Sequence, residues 1–174
     1  MQKILIVVDM QKDFVDGALG TKEAVAILPA VCRKIESFDG AIVVTYDTHF
    51  ENYMQTSEGA KLPVPHCIKG TCGHALDKSV QQVLDGKEYT AVEKVTFGSS
   101  DLPAILSEKF DMADAEIELI GLCTDICVVS NVLMLKAHFP EIKISIDSSC
   151  CAGVTPEKHE AALETMRSCQ IDVI

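Results

Sequence analysis

The 174-residue chain reads as an α/β protein, an open and mostly parallel sheet with helices on both faces. Three observations predict it. Short runs rich in Val and Ile recur along the chain. Helical patterns stand between them. Most of the apolar runs are nearly continuous rather than alternating, as strands covered on both faces must be. Strand and helix in alternation point to right-handed crossover units in a single sheet.

The elements follow in order. "KILIVVD" (3–9) is the first strand, and "TKEAVAILPAVCRKIESF" (21–38) spaces its apolar residues as a helix does. "AIVVTYD" (41–47) is the second strand. The segment 48–88 breaks the pattern: it holds Pro63, Pro65 and several glycines, with one helix near 75–85. A long irregular connection inside a compact domain is usually functional. "YTAVEK" (89–94) is the third strand, and "SSDLPAILSEKF" (99–110) is a helix with Ser cap candidates and an early Pro103. "EIELIGL" (116–122) is the fourth strand, leading into a helix "TDICVVSNVLMLKAHF" (124–139) capped by Thr124 or Asp125. "IKISID" (142–147) is the fifth strand, and "TPEKHEAALETMRS" (155–168) opens as a helix should, with Thr-Pro-Glu. No repeat, low-complexity tract or linker interrupts the series, so one domain over 1–174 is expected.

Composition narrows the function classes. The formal net charge is −11, from 26 acidic and 15 basic residues. Nucleic acid and anionic membranes need clustered Lys and Arg, and no such block is present. The amino-terminal apolar run, Ile4 to Val8, is closed at once by Asp9. It is too short for a secretory signal, and no apolar stretch reaches the roughly 18 residues of a membrane span. The eight cysteines are therefore expected free or metal-bound in a reducing cytoplasm, most of them as small buried hydrophobes. The expected partner is a small molecule; homo-oligomer formation stays open.

In an open parallel sheet, ligands sit beyond the carboxyl ends of the strands. Asp9, Asp47, His49, Lys94 and Cys127 all fall there. "LIGLCTDICVV" places Cys123 and Cys127 where the fourth strand turns into a helix. With Thr124 as cap, Cys127 lies in the first helical turn, where free N–H groups and the helix dipole favour a thiolate or an oxyanion. Both cysteines equally suit buried filler, and a metal clip would need further ligands. Asp9 suits a desolvated base or a strand-end cap. Lys94 suits a solvated lysine, or a cation beside a thiolate.

A second cluster lies in "YDTHFENYMQTSEGAKLPVPHC". Asp47 and His49, two apart in an extended segment, face the same side. Glu58 and His66 follow. Two imidazoles with one or two carboxylates suit zinc, with manganese or iron as alternatives. A competing set, "HCIKGTCGH", offers His66, Cys67, Cys72 and His74 for a structural zinc. Polar loop residues without a metal remain a third reading.

These segments, taken in order, resemble the isochorismatase-like cysteine hydrolases, and among them the nicotinamidases. "ILIVVDMQKDFVDGAL", "DTHF", "PHCIKGTCG", "EKVTFGSS" and "GLCTDICV" match the family's successive motifs, the last in its usual form G-x-x-T-D-x-C-V. The resemblance covers nearly the whole chain and implies a Rossmann-like single domain. It implies Asp9, Lys94 and Cys127 as a catalytic triad, and a cis peptide at Leu122–Cys123 that turns the Cys123 N–H, with that of Cys127, toward an oxyanion. It implies Asp47, His49 and His66 as ligands of a divalent metal, with Glu58 as a fourth and Phe14 lining the substrate pocket. The implied reaction converts nicotinamide and water to nicotinate and ammonia through a thioester on Cys127, in NAD salvage. Two departures bear on pocket shape: "GALG" stands where many members have Gly-Gly, and the chain has no Trp. Alternatives are a sibling hydrolase of another small amide or N-carbamoyl compound, and a zinc or redox module built on "HCIKGTCGH". A flavodoxin-like nucleotide-binding module would want a Gly-rich phosphate loop, which "DMQKDFVDG" does not supply.

Overall fold

The strands of the computed structural model, which describes residues 1–174, are β1 (Gln2–Val8), β2 (Ala41–Asp47), β3 (Thr90–Lys94), β4 (Ala115–Leu122), β5 (Lys143–Ala152) and β6 (Asp172–Val173). All pair in parallel, in the order β3-β2-β1-β4-β5-β6. The chain winds outward from β1 in one direction and then, from β4, in the other. The crevice beyond the carboxyl ends of β1 and β4 is therefore the topological switch point, the place where such sheets hold ligands.

The continuous apolar run of β1 has a direct cause. Ile4, Ile6 and Val8 enter one core and Leu5 and Val7 the other, and all five are fully buried. On one side they meet α5 (Leu102–Lys109), α6 (Val129–His138) and α7 (Pro156–Ser168), through Leu106, Val132, Leu135, Leu163 and Met166. On the other they meet α2 (Lys22–Ser37) and α4 (Lys78–Leu84), through Val31, Ile35, Val80 and Leu84. Each such side chain contributes roughly 1.5–3 kcal/mol of burial. A charge at any of the five would cost far more than that.

Two short helices, α1 (Lys12–Val15) and α3 (Ser57–Lys61), flank the carboxyl ends of the strands. The segment 48–88 thus holds α3 and a 3-10 turn (Tyr53–Gln55) as well as the expected helix, α4. Gly121 marks the tightest point of the sheet. Its φ is +120°, and a Cβ there would collide with the Val8 carbonyl oxygen. Only glycine lets β4 pass this close to the end of β1.

Several sequence expectations need correction. The helix expected over 124–139 starts later: Thr124–Val128 form a π-helical turn, and α6 begins at Val129. Neither Thr124 nor Asp125 caps it; the flanking residue is Cys123, which makes no side-chain cap bond. Helix α5 is preceded by Asp101 without a side-chain cap, not by a serine cap. Strand β5 runs on past Asp147 to Ala152, because its backbone regains pairing with Gly121 and Leu122 after a register shift. Strand β6, only two residues long, lies below the reach of periodicity. No helix is long and apolar enough to cross a membrane.

Candidate active site

Four strand ends converge at the switch point. Asp9 follows β1 with φ +47°, a left-handed conformation that Asp tolerates better than most side chains. The neighbouring strand holds it there. The Asp9 N–H donates to the Thr45 carbonyl and to Thr45 Oγ1, and the Thr45 hydroxyl donates to Asp9 Oδ1 at 2.6 Å.

Lys94, the last residue of β3, reaches across β2 to this carboxylate. Its Nζ lies 2.6 Å from Asp9 Oδ2, 3.6 Å from Cys127 Sγ, 3.5 Å from Asp47 Oδ1 and 3.1 Å from the Thr96 carbonyl oxygen. The side chains of Lys94 and Asp9 are sealed from water, at 1% and 0% exposure. A buried ammonium survives only when so surrounded. Burial alone pushes its pKa down; the charges of Asp9, Cys127 and Asp47 outweigh this and hold it above the ordinary lysine value.

Cys127 is buried at the end of this line, within the π-turn. Burial, then the Asp9 charge, push its thiol well above the ordinary value, against the pull of Lys94. Burial also raises the Asp9 carboxyl, opposed by Lys94 and abetted by Asp47. Thiol, ammonium and carboxyl thus meet in one water-free pocket, with both acidic groups held above their ordinary values. Cys123 differs in its neighbours. Burial first, then the charges of Asp125 and Asp9, push its thiol up to about 12, and no cation opposes them. The Leu122–Cys123 peptide is cis.

Beside Asp9, Lys94 and Cys127 lies a knot of side chains able to ligate a metal. Single donor atoms of Asp47, His49 and His66 all fall within 4.8 Å of one another, and all three residues are buried. One cation can bridge such a set. His49 Nε2 has no hydrogen-bond partner; it lies 3.0 Å from Asp47 Oδ2 and 3.6 Å from Glu58 Oε1. His66 Nε2 lies 3.5 Å from Asp47 Oδ2 and 3.6 Å from Glu58 Oε1. The other nitrogen of His66, Nδ1, sits 2.8 Å from the Val64 carbonyl oxygen. A carbonyl only accepts, so Nδ1 carries the proton and Nε2 is left with a lone pair for a metal. Asp47 is ionised: burial opposes this, but the adjoining imidazoles of His49 and His66 and the Lys94 charge hold it well below the usual carboxylate range. Two imidazoles and one or two carboxylates fit a first-row divalent cation.

Phe14 packs against this cluster, its ring 5.4 Å from that of His66. A cleft of about 490 Å³ opens beside it, lined by His49, Glu58, Leu62, Val95, Phe97 and Ile126. The competing set in "HCIKGTCGH" does not converge. His66 faces Asp47, Cys67 Sγ turns toward the Gly73 carbonyl, Cys72 is exposed, and His74 Nε2 meets the Thr48 hydroxyl. All eight cysteines are free thiols.

Four residues that the sequence reading did not single out complete the site. Thr45 orients Asp9. Gln11, fully buried, pairs with the Asp47 backbone. Asn131 donates to the Cys127 carbonyl at 2.8 Å and accepts from the Ser99 N–H at 2.9 Å, tying the π-turn to the loop after Lys94. Tyr53 stacks edge-on against His49 and His66 and donates to the Leu62 carbonyl. Asn131 carries a faint signal, as a lone amide in an apolar run; Gln11, Tyr53 and Thr45 carry none.

The isochorismatase domain model matches residues 3–174. The nicotinamidase/pyrazinamidase of Mycobacterium tuberculosis is 26% identical, with 99% of this chain and 98% of that protein covered. A crystal structure of nicotinamidase/pyrazinamidase from Bacillus subtilis superposes with a TM-score of 0.85 at 29% identity, covering 99% of each chain. A pyrazinamidase from Pyrococcus horikoshii, solved in complex with zinc, superposes at 0.81 with 27% identity, covering 100% of this chain and 99% of its own. With its sheet order, its strand-end residues and its whole length accounted for, the chain belongs to the isochorismatase family.

Proposed function

We propose that this chain is a metal-dependent nicotinamidase, converting nicotinamide and water to nicotinate and ammonia through a thioester on Cys127. Family membership together with nicotinamidase and pyrazinamidase relatives makes it a hydrolase acting on amide bonds. The observation that carries the finer reading is the position of Lys94 Nζ, 2.6 Å from Asp9 and 3.6 Å from Cys127, with a ligand cluster sharing Asp47 next to it.

Asp47, His49 and His66, with Glu58, would hold a divalent cation, zinc first, which when bound supplies a Lewis acid able to fix a ring nitrogen of the substrate. The remaining chemistry belongs to the chain. Asp9 takes the thiol proton, and Lys94 stabilises the resulting thiolate. The sulfur attacks the amide carbon, and the N–H groups of Cys123 and Cys127 receive the oxyanion, each such donor being worth about 3–4 kcal/mol of barrier. Asp9 returns the proton to the nitrogen as the C–N bond breaks, and ammonia leaves. A water, deprotonated by Asp9, then attacks the thioester, releasing nicotinate and restoring the thiol. The apolar wall of Leu62, Val95, Phe97 and Ile126 suits a flat heteroaromatic ring, while Phe14 backs the ring of His66.

Ammonia release from nicotinamide, assayed with and without a chelator, tests this reading. Turnover that a chelator abolishes and added zinc, manganese or iron restores supports it. Turnover of a different small amide or N-carbamoyl compound, with none of nicotinamide, replaces the substrate and keeps the triad.

A further inference from the structure

The π-turn that carries Cys127 is held from two sides. Asn131 of α6 holds one, through the Cys127 carbonyl. The other side is held by residues outside the site. Thr124, the first residue of the turn, is fully buried, and its Oγ1 lies 2.8 Å from Nδ1 of His159 on α7. The next residue, Asp125, accepts from the Val154 N–H at 3.0 Å. Two consecutive side chains, which the sequence suggests as helix caps, thus tie the turn to α7 and to the β5–α7 connection instead.

The packing leaves little slack in this tether. A Cβ on Gly153 would press on Asp125 Oδ1 and on the His159 backbone nitrogen. Cys123 itself gives the turn no side-chain cap bond. The distance it must set is the one between Cys127 Sγ and Lys94 Nζ, 3.6 Å. Displacement of a reacting atom by about 1 Å can cost about a hundredfold in rate.

We propose that His159 is a positioning residue: through the Thr124 hydroxyl, its imidazole fixes the π-turn in the orientation that aims Cys127 at Asp9 and Lys94. The proposal rests on Cys127 being the nucleophile. His159 touches no reacting atom. It is half-buried, and it also borders a cleft of about 260 Å³ shared with Glu23, Ala26 and Ile27, so a smaller side chain there has room to be tolerated.

The test uses the full-length, metal-loaded protein with His159→Ala, Thr124→Val, the double variant and His159→Asn. Each of the first two should lower kcat for nicotinamide by about tenfold, with KM and thermal midpoint nearly unchanged. The double variant should be no worse than the weaker single, because both remove one hydrogen bond. Asn sets an amide near the place of Nδ1 and should restore most of the rate. A second readout needs no turnover: the rate of Cys127 alkylation by iodoacetamide, read by peptide mapping, should follow kcat across the set. Unchanged kcat and alkylation in His159→Ala, additive losses in the double variant, or failure of Asn to rescue would overturn the proposal. If His159→Ala does not fold, Thr124→Val against Thr124→Ser decides in its place, Ser retaining the rate. Wild-type protein that leaves nicotinamide untouched defeats the substrate reading alone, since the alkylation series still reports on the turn.

Discussion

Gln11 and Asp47 pair as two strands would, although one partner is a side chain. Gln11 Oε1 accepts the Asp47 N–H at 2.8 Å, and Gln11 Nε2 donates to the Asp47 carbonyl at 2.8 Å. Strand β2 is thereby pinned at its last residue to the segment two positions after Asp9. The Asp9–Lys94–Cys127 group and the Asp47–His49–His66 cluster are set against each other through one buried amide.

Gln11→Ala leaves both Asp47 backbone groups buried without partners. Stability should fall by about 2–4 kcal/mol, read as a shift of the urea midpoint at unchanged slope. Metal retention after dialysis should fall with it, because the Asp47 carboxylate loses its fixed backbone.

The acid limb of activity should lie high. As the proposed base, Asp9 would act only when ionised, and its burial, partly offset by Lys94, raises its pKa above the ordinary 3.8. Activity is therefore present above that raised value and is lost as pH falls through it. The acid limb of kcat/KM should show an apparent pKa above 3.8, a property of the coupled Asp9–Cys127–Lys94 set rather than of one residue.

Thr45→Val removes the hydroxyl that donates to Asp9 Oδ1. That hydrogen bond favours the ionised carboxylate and lowers its pKa. Its loss should move the acid limb of kcat/KM to higher pH and reduce turnover at neutral pH. A profile that stays in place would mean the Thr45 hydroxyl has no hold on the base.

Glu58 sits 3.6 Å from the Nε2 atoms of both His49 and His66, yet it is more exposed than the other three. Glu58→Ala should weaken metal affinity by about 10–100-fold while leaving the fold intact. His66→Ala, which removes a buried donor, should abolish retention. Metal analysis after graded chelation separates the two. Unchanged content in Glu58→Ala removes Glu58 from the ligand set.

Much of this arrangement was legible in the sequence because strand ends announce themselves. Asp9, Asp47 and Lys94 each close an apolar β-branched run, and parallel topology brings such ends together. What stayed hidden depends on tertiary pairing. Thr45 and Gln11 matter because of partners 36 positions away. Thr124 and Asp125 look like caps, but their side chains bond to His159 and Val154 rather than to their own helix. Strand β5 looked finished at Asp147, where serines break the apolar run; Cys150 and Cys151 then re-enter the core on opposite faces of the sheet.

The most direct measurement is ammonia release from nicotinamide by Cys127→Ala and Cys123→Ala beside the wild type, each with its metal content verified. The account predicts a loss of at least about a thousandfold in Cys127→Ala and substantial turnover in Cys123→Ala, which keeps the sulfur that Lys94 faces. Turnover that survives in Cys127→Ala and vanishes in Cys123→Ala would contradict it.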